Sequence, residues 1–297
     1  MARTEPLTVE EIARGGAPFT WRASDGETFT GLVWEPDGGR PRASVLCIHG
    51  LSGAACDFGP LARRLAADGC EVRAVTLRGP GCAPDPSRRG HFLDPDAWRA
   101  DLAAFAGEFL RDAPLFVIGE SMGSLVAVDS VANGALAPRR LVLSVPVVEM
   151  RAPVPAWVVA LLRRVAGVCP RMKLSPLRFV HGNTALPRLT ADDAYMAYLQ
   201  TIPHRVGGFT LGFLTKFHDF MRSVREDAGR VRVPTILLAA GRDVFIRPDQ
   251  SRAFFETLGC GEKEYRLYAE SHHLLWHDVE KDDVLGSVAR WIADGLT

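Results

Sequence analysis

Gly119-Glu120-Ser121-Met122-Gly123 lies between one apolar run, Leu115 to Ile118, and a second, Ser124 to Val128, that reads as a helix. A serine hydroxyl becomes a useful nucleophile when it is held out of the fold, within reach of a base, on backbone that offers N–H donors to a developing oxyanion. A sharp strand-to-helix turn does this. It strains the serine backbone and brings strand and helix close, so residues without a Cβ are wanted two positions either side. Gly119 and Gly123 stand there. The helix beyond Ser121 aims its N-terminus at the place where negative charge would form, and the Met122 N–H is a candidate oxyanion donor. The chemistry implied is nucleophilic catalysis by Ser121. Alone the pattern is weak, since G-x-S-x-G arises by chance in about one chain of this length in ten.

Partners for the serine lie downstream. A buried-type strand, Thr235 to Ala240, runs into Gly241-Arg242-Asp243. An acid just past the end of a parallel strand shares its sheet edge with the serine turn, which makes Asp243 the candidate for orienting a base. Asp249 is the nearest rival, although it is better placed to open the following helix. A last strand, Lys263 to Tyr268, precedes Ser271-His272-His273-Leu274-Leu275-Trp276-His277-Asp278. A histidine in that loop reaches the same edge and completes the order serine, acid, histidine. Three histidines compete: His272, His273 and His277.

The elements that must position these residues alternate. Phe19 to Ala23 and Thr28 to Glu35 read as an antiparallel pair broken at Asp25-Gly26. Ser44 to Ile48 is a continuous apolar strand ending in His49-Gly50-Leu51-Ser52-Gly53, with a helix around Pro60 to Asp68. Glu71 to Leu77 leads into Arg78-Gly79-Pro80-Gly81, and Asp94 to Arg111 has helical spacing. The serine strand and its helix follow, then Arg140 to Val145. Strands and helices in this rhythm imply an α/β fold with a mostly parallel, doubly wound sheet. The rhythm breaks from about Val147 to Arg230, where short amphipathic stretches are divided by prolines, Pro153, Pro155, Pro170, Pro176, Pro187 and Pro203 among them. It resumes at Val233. The expected organisation is a core over residues 1–146, an inserted helical cap over 147–230, and the rest of the core over 231–297.

Composition sets bounds. The 297 residues suffice for one large α/β domain, and 47% hydrophobic with 24% charged residues is ordinary for a globular protein. Basic and acidic residues balance at 35 each, so no global field favours nucleic acid. The basic residues, nearly all arginine, are scattered along the chain. Met1 to Phe19 has no apolar signal core, and Val154 to Leu162, the longest apolar stretch, is too short to span a bilayer. Six dispersed cysteines, Cys82 among them, form no C-x-x-C pair. The expectation is a cytoplasmic protein with reduced thiols, no metal and no cofactor.

Taken together, the landmarks resemble the α/β-hydrolase superfamily, in its branch of small serine carboxylesterases, monoglyceride lipases and lysophospholipases. Members commonly end in a histidine followed five residues later by an acid. His273 and Asp278 have that spacing, whereas five beyond His272 is His277, so the resemblance selects His273 as the base. It also implies that the residue after His49-Gly50, Leu51, donates the second oxyanion N–H beside Met122. His49 itself reads as a structural residue holding its loop. The resemblance covers most of residues 28–145 and 232–294. One departure is plain: the loop after the second parallel strand usually reads Asp-x-Arg-Gly-His-Gly, and here it is Thr76-Leu77-Arg78-Gly79-Pro80-Gly81. Superfamily dehalogenases and epoxide hydrolases carry a carboxylate where Ser121 stands.

What this implies is hydrolysis of a small-molecule acyl ester, through attack by Ser121 and an acyl-enzyme. An acyltransferase or thioesterase would use the same triad. A proline iminopeptidase-type peptidase would need an anchor for a free amine, with Glu149, Asp192 or Asp193 as candidates, and a ligand-binding protein without turnover is the remaining class. In the cap, Trp157 and Leu161 belong to one apolar stretch, while Phe209, Phe213, Phe217 and Phe220 recur at near-helical spacing. Packing of the cap accounts for them; as a functional alternative, Trp157, Leu161, Phe213 and Phe217 would wall a medium or long acyl chain, with Val154 to Leu162 touching a lipid surface.

Overall fold

The computed structural model describes residues 6–79, 88–110, 113–174, 186–202, 206 and 208–297. Pro80, Gly81, Cys82, Arg111, Pro176 and Pro203, on which expectations above touch, lie outside these residues. A one-turn helix α1 (Val9–Ile12) precedes β1 (Ala17–Arg22) and β2 (Thr28–Trp34), which pair antiparallel. Then follow β3 (Ala43–Ile48), α2 (Gly59–Ala67), β4 (Cys70–Val75), α3 (Asp96–Phe109), β5 (Leu115–Glu120), α4 (Met122–Ala132) and β6 (Arg140–Ser144). Beyond β6 come α5 (Ala156–Val168), β7 (Lys173–Leu174), α6 (Asp193–Thr201), β8 (Phe209–Thr210) and α7 (Leu211–Asp227). The chain ends with β9 (Thr235–Ala240), α8 (Pro248–Thr257), β10 (Lys263–Tyr268) and α9 (Lys281–Asp294).

Eight strands form one sheet in the order β1-β2-β4-β3-β5-β6-β9-β10. From β4 to β10 every neighbouring pair is parallel; β2 meets β4 antiparallel. Strands β3 and β9 are buried along their whole length, as their unbroken apolar runs require. Side chains alternate across the sheet. Leu46, Ile48, Val117, Leu141 and Leu237 join one core, with Trp98, Leu125 and Phe220 from α3, α4 and α7. Val45, Cys47, Phe116, Val142 and Ile236 join the other, with Leu61, Leu65, Trp276 and Val288. Each large aliphatic side chain so buried contributes about 1.5–3 kcal/mol before entropy is counted. The sheet is thus covered on both faces and is doubly wound.

Strand β6 pairs directly with β9, so the chain leaves the sheet after Ser144 and returns to it at Thr235. The segment between is more regular than its prolines suggest. No proline interrupts residues 204–233, and α7 runs unbroken for 17 residues. A strand pair, unexpected from the sequence, joins Lys173 to Thr210 and Leu174 to Phe209; two residues a side are too few to leave an apolar run. Phe209 therefore sits just ahead of the helix that carries Phe213, Phe217 and Phe220.

The altered loop after β4 keeps one strong anchor. Arg78 Nε and Nη2 donate to Asp101 at 2.6 and 3.0 Å, while Nη1 and Nη2 donate to Asp25, in the β1–β2 turn, at 2.7 and 3.0 Å. These carboxylates hold the guanidinium pKa above its ordinary value, Asp25 contributing most. Glycine at 79 is required: φ is +89°, and a Cβ there would lie 2.4 Å from Phe92.

Candidate active site

Three of the sequence landmarks converge at the C-terminal edge of the parallel strands. Ser121 caps α4 directly after β5, with φ 53° and ψ −117°. Side chains with a Cβ avoid that region, and the strain persists because the surroundings fix it: Ser121 N–H donates to Ser144 O at 2.8 Å, and Ser124 Oγ ties Gly119 O and Ser144 O. Ser52 and Val145, the other described non-glycine residues with positive φ, lie beyond the same ends of β3 and β6. The flanking glycines are needed for clearance. A Cβ on Gly119 would lie 2.5 Å from Gly123 O, and one on Gly123 would lie 2.0 Å from Ile48 O.

Asp243 and His273 follow the last two strands of the sheet. Asp243, 1% exposed, follows β9, and its Oδ1 accepts the N–H groups of Phe245 at 2.8 Å and Ile246 at 3.3 Å. Its Oδ2 accepts from His273 Nδ1 at 2.7 Å. That bond fixes the tautomer and leaves Nε2 with the lone pair a base needs. Phe245 packs edge-on against the imidazole, with ring centroids 4.8 Å apart. Asp249, the rival acid, is exposed at the start of α8 and pairs with Arg247.

The other two histidines have other partners. His272 turns Nδ1 to Asp278 Oδ2 at 3.0 Å, and its backbone N–H donates to the same oxygen at 2.5 Å. Asp278 Oδ1 takes the N–H groups of Ala191 and Val279, so this buried carboxylate staples the histidine loop to the segment ahead of α6. His277 stacks on Tyr195, with centroids 3.6 Å apart, and donates through Nε2 to Asp57 O at 2.7 Å. Burial carries its pKa down to about 4.

The loop after β3 lies against the serine. A Cβ on Gly50 would sit 3.7 Å from Ser121 Oγ. His49 is fully buried; Leu77 N–H donates to its Nε2 at 3.0 Å, so Nδ1 carries the proton and donates to Gly50 O at 2.8 Å. This holds the loop that presents Leu51. Met122 opens α4, where the first N–H groups have no intrahelical acceptor.

A buried polar cluster beneath this loop escapes the sequence reading. Asp57 Oδ2 accepts Ala54 N–H at 2.7 Å, and Oδ1 accepts Tyr195 OH, from α6, at 3.0 Å. Burial pushes the Asp57 carboxyl up to about 6 against those donors. Glu120, next to Ser121, is buried as well; desolvation and the Asp57 charge hold its carboxyl well above the usual range, with Trp276 beside it opposing. Both causes disfavour a charge on Glu120. Arg151 was missed too: its Nη1 donates to Asp243 O, so the stretch after β6 braces the acid loop. Long sequence separation hides these contacts; an apolar context around Asp57 and Glu120 was the one available signal.

The cap candidates divide. Phe213 and Phe217 are buried in the same core as Met122 and Leu125, their rings stacked at 5.6 Å, whereas Trp157 and Leu161 are 71% and 54% exposed on α5. The acids considered as amine anchors are engaged elsewhere. Glu149 pairs with Arg225, Asp193 pairs with Arg188, and Asp192 caps α6 through Tyr195 N–H.

An eight-stranded, doubly wound sheet with a strained serine between β5 and α4, and an acid and a histidine after its last two strands, defines an α/β-hydrolase fold. The family model described as serine aminopeptidase, S33 (Hydrolase_4) matches residues 39–280, and the chain belongs to that family. Phospholipase YtpA of Bacillus subtilis is 23% identical over 266 residues, covering 85% of this chain and 95% of that protein. An abhydrolase domain-containing protein of Dictyostelium discoideum is 22% identical over 278 residues; the match covers 92% of this chain and spans only 28% of that relative's length. Among solved structures, a soluble variant of the Saccharomyces cerevisiae monoglyceride lipase, in complex with a substrate analog, superposes with a TM-score of 0.80 at 21% identity, covering 100% of this chain and 99% of that one. The Paleococcus ferrophilus monoacylglycerol lipase gives 0.76 at 20% identity, covering 90% and 99%. These structural likenesses carry the fold.

Proposed function

We propose that the protein hydrolyses carboxylic esters of medium or long acyl chains, such as acylglycerols or lysophospholipids, with Ser121, His273 and Asp243 as its catalytic triad. The observation that carries this reading is the buried His273–Asp243 bond of 2.7 Å on the sheet edge where Ser121 is held in its strained turn. His273 Nε2 takes the proton of Ser121 Oγ as the oxygen attacks the acyl carbonyl. Asp243 fixes the imidazole tautomer and stabilises its cation, and the N–H groups of Leu51 and Met122 receive the oxyanion. His273 then returns the proton to the leaving alkoxide, and water, activated by the same imidazole, releases the acid from Ser121. Each oxyanion donor of this kind is worth ~10²- to 10³-fold in rate.

Residues 147–230 act as a cap over this edge and set the acyl preference. The departure of the chain from the sheet between Ser144 and Thr235, and the burial of the α7 phenylalanines in the core that holds Met122 and Leu125 of α4, support that placement. Release of p-nitrophenol from acetate, butyrate, octanoate and decanoate esters tests both parts. Ser121→Ala, folded by circular dichroism, is expected to abolish turnover, and the wild-type rate is expected to rise with chain length. Full activity of Ser121→Ala overturns the triad; equal rates for acetate and decanoate overturn the acyl preference. Adding a competing alcohol separates hydrolysis from acyl transfer by the products formed.

A further inference from the structure

Of the six tryptophans in the chain, five are buried to 6% exposure or less, and Trp157 alone stands 71% in water. It belongs to a stripe. Trp157, Leu161, Arg164 and Val168 recur at intervals of four, three and four on the outer face of α5, and Leu161 and Val168 are 54% and 82% exposed. The inner face of the same helix, through Val158, Leu162 and Ala166, is turned to α7. Val154 and Met172 extend the exposed apolar ribbon at either end of the helix.

The stretch of chain that carries the ribbon has charge of one sign. From Met150 to Ala191 the sequence has no aspartate or glutamate, yet it carries six arginines and one lysine, in a chain whose overall charge is zero. Arg163 is neutralised by Asp219 of α7. Arg164, Arg171 and Lys173 are exposed and make no ion pair among the described residues. Apolar side chains flanked by unpaired cations fit a boundary that is greasy within and negative at its rim. No helix among the described residues is long and apolar enough to cross a bilayer, so the contact is with a surface. A second copy of the chain fits poorly, because a two-fold contact would set these cations against each other.

We propose that the outer face of α5, with Arg164, Arg171 and Lys173, docks on an anionic lipid surface. Trp157 and Leu161 enter the headgroup boundary while the cations meet the lipid phosphates. The docking is electrostatically selective: neutral lipid offers the apolar gain alone, and added salt screens the attraction. It requires no ester to be cleaved, so it stands or falls separately from the triad.

The test uses the full chain with vesicles of phosphatidylcholine alone and of equal parts phosphatidylcholine and phosphatidylglycerol. Co-sedimentation and a shift of tryptophan emission to shorter wavelength are expected with the anionic vesicles only, reversed by high salt and with the emission shift lost in Trp157→Phe. The triple variant Arg164→Glu, Arg171→Glu, Lys173→Glu is expected to weaken binding about 100-fold. Because those side chains are exposed and outside the catalytic machinery, it should keep wild-type turnover of a soluble short-chain ester. Equal binding to both vesicle types, unchanged in the triple variant, overturns the proposal, as does binding to neither. An emission shift that follows protein concentration without vesicles, with a dimer in analytical ultracentrifugation, assigns the face to a second copy and overturns it as well.

Discussion

His273, and neither of its histidine neighbours, presents Nδ1 to Asp243, at 2.7 Å, while Asp278 is held by His272 and by the backbone of Ala191 and Val279. The two acids therefore have separable roles. Asp243→Asn loses the carboxylate that sets the tautomer, and kcat for a p-nitrophenyl ester is expected to fall ~10³- to 10⁴-fold with KM little changed. Asp278→Asn weakens the loop staple; it is expected to lower the melting temperature and cost less than about tenfold in kcat. Steady-state kinetics of the two variants checks this, and a larger kcat loss for Asp278→Asn contradicts it.

The glycines on either side of Ser121, Gly119 and Gly123, are steric requirements. Gly123→Ala places a methyl 2.0 Å from Ile48 O, in a stretch of backbone that cannot yield without moving β3. The expected outcome is a loss of at least about 3 kcal/mol in urea unfolding, or failure to accumulate as folded protein. Stability within 1 kcal/mol of wild type, roughly the effect of a surface substitution, would contradict the packing.

Arg78 joins the β4 loop to the first hairpin through two carboxylates, and Asp101 is nearly inaccessible, at 1% exposure. Arg78→Ala strands that buried charge. A destabilisation of ~3–5 kcal/mol is expected, and the double variant Arg78→Ala, Asp101→Ala should recover part of it. Chemical denaturation of the wild type and the two variants gives the comparison.

Asp57 and His277 titrate over one window with opposite sign. The Asp57 carboxyl is raised from 3.8 to about 6, so its contribution is present below the unfolded pKa and is lost as pH rises through about 6. His277 is lowered from 6.5 to about 4, so its contribution is present above the unfolded pKa and is lost as pH falls through about 4. Asp57→Asn removes the first effect. Its stability relative to wild type is expected to improve between about pH 4 and 6, by on the order of 2–3 kcal/mol. A constant difference across that range refutes this account of the cluster.

Much of the architecture was legible because one physical signal dominated each element. The unbroken apolar runs of β3 and β9 report burial on both faces, and the turn at Asp25-Gly26 marks the antiparallel hairpin. The phenylalanines of α7 announce a helix because their spacing repeats on one face. Contacts between distant polar residues left no such trace. Tyr195 and Asp57 are 138 positions apart, and nothing local in either segment calls for the other. The β7–β8 pair is too short to show a pattern. The five-residue spacing from His273 to Asp278 singled out the histidine that meets Asp243, yet the acid at its end binds His272 and steadies the loop.

Covalent labelling by a fluorophosphonate, read by peptide mass spectrometry, tests the proposed nucleophile most directly. The expected result is one phosphonyl group per chain on the peptide bearing Ser121, absent in Ser121→Ala and slowed by at least about 10³-fold in folded His273→Ala. Labelling of another residue, or wild-type labelling rates in either variant, would contradict the assignment of Ser121 and His273.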